Sequence, residues 1–167
     1  MRILVDTNVV LDILLNRSGF VEESSAALEK CISRGDRLFF SSSAVTDVYY
    51  VVRKQTGNKT TALTAVTQLS KLLSIAEVDE SCILSATLSP IDDFEDAVVD
   101  AVATKINANF IMTRNLTDYQ GSKHIIFRPS DFLINSRSKI AKPTLRSKVN
   151  PQVDPVEELS QPYPDFS

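Results

Sequence analysis

Ile3-Leu4-Val5-Asp6-Thr7-Asn8-Val9-Val10-Leu11 is the stretch that decides the fold. Its first three residues form a short continuous apolar run, as in a parallel strand buried on both faces. Val9, Val10, Ile13 and Leu14 then recur at helical spacing. Asp6 therefore stands where a strand ends and a helix begins. Leu38-Phe39-Phe40 and Phe110-Ile111-Met112 repeat the buried-strand pattern, Ile125-Ile126-Phe127 extends it, and Ile75-Ala76-Glu77-Val78 is a weaker instance.

Helical segments fall between these strands. Ser18 is a candidate cap for a helix ending at Gly35, and Ser42 or Ser43 for one carrying Val45, Val48, Tyr49 and Val52. Residues 60–73 form a further helix with Leu63, Val66, Leu69 and Leu73 as its apolar stripe. Residues 80–88 form a short one. Residues 92–106 form the clearest, with Phe94, Ala97, Val98, Ala101 and Val102 as its buried face and four acids around its first turn. Short strands alternating with helices predict an α/β fold, a three-layer α/β/α sandwich around a small parallel sheet. In such a fold the functional site lies at the carboxyl ends of the strands.

Composition agrees with one domain and an appendage. The chain has 167 residues, 43% hydrophobic and 23% charged, enough for an ordinary core. Residues 1–135 are expected to form the domain. Residues 136–167 read as a charged, Pro-rich extension: Arg137, Lys139, Lys142, Arg146 and Lys148 are followed by Asp154, Glu157, Glu158 and Asp165, with Pro151, Pro155, Pro162 and Pro164 between and beyond them. Two cysteines, Cys31 and Cys82, make neither a disulfide framework nor a zinc spacing, so a reducing, cytoplasmic setting is expected. The single histidine, His124, argues against a His-rich metal site and a Ser-His-Asp hydrolase. No apolar run approaches the ~18 residues of a membrane span, and the opening run is too short for a signal peptide. The net charge of −3 is too mild to name a partner.

The acids are informative because of where they fall. Asp6 ends the first strand, Asp47 lies one turn into its helix, Asp96 opens the 92–106 helix, and Asn115 and Asp118 follow the 110–113 strand. A parallel sheet carries all of them to one rim. Two carboxylates ~5 Å apart repel by roughly 3 kcal/mol at an effective dielectric near 20. Such a cluster needs a cation, and carboxylates with an amide suit Mg²⁺ or Mn²⁺ rather than zinc. The pattern points to metal-assisted phosphodiester hydrolysis. Asp100, one turn after Asp96, is a candidate second contact, and Arg114 a candidate phosphate clamp. Asp12 reads as a solvated helical acid. Arg17, Arg53, Lys54 and the Tyr49-Tyr50 pair are candidate RNA contacts beside the simpler readings of solvated charge and core packing.

Three segments then carry a family resemblance. Residues 3–11 above, Asp93-Phe94-Glu95-Asp96-Ala97, and Ile111-Met112-Thr113-Arg114-Asn115-Leu116-Thr117-Asp118-Tyr119, closed by Arg128-Pro129-Ser130-Asp131-Phe132-Leu133, resemble the PIN-domain nucleases. The resemblance implies a Mg²⁺- or Mn²⁺-dependent endoribonuclease of the VapC-like group, often the toxin of a toxin–antitoxin pair. RNA, an antitoxin protein and a second copy of the chain are then the expected partners. Asp6 matches the family's first acid, Asp96 the acid of its late helix, and Asp118 the second acid of the loop. Asp47 stands where the family usually has Glu, and Asn115 where many members have Asp. Thr7, Asn8 and Thr113 match the neighbours that orient these ligands. Those two departures leave open an alternative, a catalytically weak module that binds nucleic acid or protein. A phosphatase of the haloacid-dehalogenase type is disfavoured, because Asn8 replaces its second acid.

Overall fold

The computed structural model describes residues 1–137. It contains β1 (Arg2–Val5), α1 (Thr7–Leu14), α2 (Val21–Ser33), β2 (Arg37–Ser41), α3 (Ala44–Thr56), α4 (Lys59–Leu72) and β3 (Ser74–Ala76). These are followed by α5 (Glu80–Thr87), α6 (Phe94–Lys105), β4 (Phe110–Met112), a 3₁₀ turn (Leu116–Tyr119), β5 (Ile125–Phe127) and α7 (Pro129–Arg137). The expected extension from 138 onward lies outside the described residues. Among those residues no helix is long and apolar enough to cross a membrane.

The five strands form one wholly parallel sheet in the order β3-β2-β1-β4-β5. Period-two alternation explains the two cores. Ile3 and Val5 of β1, Leu38 and Phe40 of β2, and Phe110 and Met112 of β4 point to one face. Leu4, Phe39 and Ile111 point to the other. Both faces are dry, which is why these strands read as continuous apolar runs. Residues from α1, α2, α3, α4 and α7 cover the first face; residues from α5, α6 and the 3₁₀ turn cover the second. The result is the expected α/β/α sandwich.

The chain winds outward from β1 to β2 and β3, then returns to lay β4 on the opposite side of β1. Winding reverses between β1 and β4. The carboxyl ends of those two strands therefore border the crevice where open parallel sheets bind ligands.

Several local expectations are corrected. In α4 the buried positions are Ala62, Ala65 and Leu69, while Leu63 is exposed and Val66 half-buried. α3 and α4 pack as close neighbours, and small alanines admit that approach where a leucine stripe would hold the helices apart. Phe94 is exposed, since it occupies the first helical position of α6 after the N-cap Asp93. Neither Ser18 nor Ser43 caps a helix with its side chain. Ser42 instead accepts a bond from the Val78 amide at 3.0 Å.

Asp12, expected in solvent, is wholly buried. It accepts a bond from Ser24 Oγ at 3.0 Å and pairs with Arg114 Nε at 3.2 Å and Arg17 at 3.8 Å. Its principal partner lies about a hundred residues away, so local sequence carries no sign of it.

The α4 register is directly testable. Ala62→Leu forces bulk into a closed slot and is expected to cost about 1–3 kcal/mol. Leu63→Ala, on the exposed side, should change stability by no more than about 0.5 kcal/mol. Urea denaturation of the two variants measures both.

Candidate metal centre

Asp6 is the centre of the crevice. It ends β1 in extended backbone and serves as N-cap of α1, so its carboxylate sits against both the strand end and the helix mouth. Oδ1 accepts from the Thr7 amide at 2.6 Å. Oδ2 accepts from Asn8 Nδ2 and from Thr113 Oγ1, both at 2.6 Å. Thr113 Oγ1 in turn receives Asn8 Nδ2 at 2.9 Å and the Asn115 amide at 3.0 Å. The Asn8 carbonyl oxygen accepts from the Arg114 amide at 3.0 Å. These bonds tie the end of β1 to the end of β4 and fix the loop that follows β4.

Among the described residues every hydrogen-bond partner of the Asp6 carboxylate is neutral. Asp6 is 8% exposed, and burial raises its pKa despite the bonds from Thr113, Thr7 and Asn8 that favour the charged form. The charge of Asp118 raises it further. Asp96, in the first turn of α6, is pushed up to about 7 by burial and then by the charges of Asp6, Asp93 and Asp118. Glu95 is raised by burial and then by Asp47, Asp93 and Asp6. Tyr119 is buried with its hydroxyl unpaired. It faces Asp96 without reaching hydrogen-bond geometry, and burial together with Asp6 and Asp96 holds it protonated, far above its ordinary range.

The structure thus brings Asp6, Asp96 and Asp118 into one electrostatic neighbourhood, with Thr7, Asn8, Thr113 and the Asn115 backbone around Asp6. Asp47, in the first turn of α3, reaches this neighbourhood through Glu95. Two expected contributors turn elsewhere. Asp100 accepts a short bond from Ser122 Oγ. The Arg114 guanidinium pairs with buried Asp12 and lies 4.1 Å from the Phe20 ring centroid, so it braces the loop instead of reaching into the crevice. Glu95 and Tyr119 are the residues that sequence reasoning missed. Glu95 had a signal, since it is adjacent to Asp96 on α6; Tyr119 had none before the 3₁₀ turn placed it.

Whether a divalent ion fits depends on the donors. Among the described residues no acid at this rim forms an ion pair with Lys or Arg. Nor are any three His, Cys, Asp or Glu side chains among them grouped so that together they could hold a metal ion. Hard oxygen donors with unneutralised charge and no tight cage suit Mg²⁺, which binds through one or two carboxylates and keeps several waters.

A family model for the PIN domain matches residues 2–117. The chain belongs to the PIN-domain family. Its match covers β1, α3 and α6 and thus Asp6, Asp47 and Asp96. Solved PIN folds align with nearly their whole length. The VapBC2 complex of Rickettsia felis, bound to a DNA fragment from its promoter, superposes with a TM-score of 0.63 at 15% identity over 77% of this chain and 98% of that one. FitAcB of Neisseria gonorrhoeae gives 0.60 at 20% identity over 77% and 98%. VapC20 of Mycobacterium tuberculosis, a toxin that cleaves the sarcin–ricin loop, gives 0.57 at 15% over 74% and 98%. At these identities the likeness is one of fold. No curated protein sequence matches the chain.

The electrostatics of the PIN crevice set a sign for stability. The folded-state pKa of Asp96, about 7, lies above the unfolded value of ~3.9. The folded protein therefore holds an extra proton across that window, and metal-free stability falls as pH rises through it. Asp96→Asn is expected to remove this slope. It should stabilise the metal-free protein at pH 8 by about 1–2 kcal/mol, a value reduced for the partial exposure of the group. Denaturant unfolding in EDTA at pH 5 and pH 8 measures it.

Proposed function

We propose that this protein is a Mg²⁺- or Mn²⁺-dependent endoribonuclease that hydrolyses RNA phosphodiester bonds, and that it is the toxin of a toxin–antitoxin pair acting in the cytoplasm. The observation that carries the reading is the uncompensated acid cluster at the β1–β4 crevice, where Asp6 and Asp96 are both held above their ordinary pKa. Evolution of a stable fold alone gives no reason to crowd carboxylates there. Membership of the PIN family supports the nuclease class. Resemblance in fold to VapBC complexes supports an antitoxin partner.

Asp6, Asp96 and Asp118 would hold the ion, with Asp47, Glu95 and Asn115 at the rim. Bound there, a divalent cation supplies Lewis-acid stabilisation of phosphate charge and a hydrolytic water at neutral pH. The chain's own residues prepare for this. Asn8 and Thr113 fix the orientation of the Asp6 carboxylate, as outer partners of ligating groups do. Asp96, which keeps its proton up to about pH 7 in the metal-free protein, would have to give it up to act as a ligand. Tyr119, buried beside Asp6 and Asp96, adds an apolar ring to their surroundings.

One observation favours a second reading. The open spacing of the acids, with Asp47 and Asn115 in place of longer or charged donors, suits a module that binds RNA or a protein without cutting.

Mn²⁺ titration calorimetry and RNA cleavage on the same samples separate the two. Native protein should bind Mn²⁺ and cleave RNA, with affinity rising up to about pH 7 as Asp96 ionises and levelling above it. Asp96→Asn should abolish both activities, and Thr113→Val should weaken Mn²⁺ binding by about 10- to 100-fold. RNA binding without cleavage under either metal would favour the second reading.

A further inference from the structure

Helix α3 leaves the crevice with an exposed aromatic ring and unpaired cations along its surface. Asp47 lies in its first turn. Tyr50 and Lys54 follow at i+3 and i+7, on the same face and about 4.5 and 10 Å further along the axis. Tyr50 is 66% exposed, more than any other aromatic side chain among the described residues. It is nonetheless held in place. Its ring meets Tyr49 edge to face at 5.5 Å between centroids, and Arg53 Nη1 donates to the Tyr49 hydroxyl at 2.9 Å.

Arg53 and Lys54 are exposed, and among the described residues neither pairs with an acid. Gly57, at φ 66°, ends the helix, and Lys59 opens α4 just beyond it. A solvated surface explains lysines but gives no reason to brace a tyrosine in water. Among the described residues the acids of the crevice have no Lys or Arg paired with them, and a polyanion would need cations from elsewhere on the surface.

The geometry points to the Asp47–Lys54 face of α3 as a track for single-stranded RNA, with Tyr50 stacking on a base and Arg53 and Lys54 contacting phosphates. This inference rests on the nuclease reading and names how that site takes its substrate. Stacking on an aromatic ring tolerates any base, and backbone cations read none, so the track grips without specifying sequence. A single strand is the required form, because a duplex hides its base faces.

The test uses the full chain in EDTA, with a fluorescein-labelled oligouridine twelve-mer followed by anisotropy. Tyr50→Ala should weaken binding about tenfold, within the range of one lost base stack. Tyr50→Phe keeps the ring and should keep the affinity. Arg53→Gln with Lys54→Gln should reduce the slope of log affinity on log salt by about 1.4, the single-strand value for two cations. Circular dichroism and sedimentation of each variant control for folding and association.

Wild-type affinity in Tyr50→Ala, or no binding by the native chain, would overturn the track. So would a change of sedimenting mass in Tyr50→Ala, which would assign the ring to an interface between copies. Cleavage by the native chain with Mn²⁺, alongside unaffected binding by Tyr50→Ala, would sink the track alone. A Tyr50-dependent affinity with no cleavage under Mn²⁺ or Mg²⁺ would sink the nuclease reading alone.

Discussion

Everything at the crevice depends on one buried carboxylate. Asp6 is fixed by the central strand of the sheet and the first turn of α1, so it cannot retreat into solvent. Its three neutral donors orient the charge without cancelling it. A second carboxylate ~5 Å away would add roughly 3 kcal/mol of repulsion at an effective dielectric near 20. Asp96 responds by keeping its proton until about pH 7. The fold therefore stores an electrostatic demand at the point where its winding reverses, and a divalent cation is the simplest agent that satisfies it.

The rest of the architecture serves that point. β4 must lie beside β1 for Thr113 to reach Asp6, and the Asn8–Arg114 contact then sets the path of the following loop. The buried Asp12 braces the same loop through the Arg114 guanidinium. Burying such groups is costly unless they are partnered, and although Asp12 Oδ1 and Arg114 Nε lack hydrogen bonds, the ion pair between the two residues ties the loop after β4 to α1. α6 approaches from the opposite side of the sheet and presents Glu95 and Asp96, because Asp93 caps it and sets its register.

Much of this was legible in the sequence, for local reasons. Strands buried on both faces announce themselves as apolar runs, and acids directly after such runs can lie only at the carboxyl rim. What was not legible depends on contacts distant in sequence or on helix register. The buried face of α4 is chosen by how closely α3 approaches, so Ala62 outranks the more hydrophobic Leu63. The burial of Asp12 depends on Arg114, and the placing of Tyr119 on a 3₁₀ turn. Asp100 satisfies the helical spacing that links it to Asp96, yet its carboxylate is taken by Ser122.

The central claim, that the β1–β4 crevice is a cation site, is tested most directly by diffraction from crystals grown with Mn²⁺ at neutral pH or above. Data collected at the manganese absorption edge should give an anomalous peak between the Asp6 and Asp96 carboxylates, and Asp96→Asn crystals should lack it. An empty crevice in native crystals, or a peak only at surface acids remote from Asp6, would contradict the account.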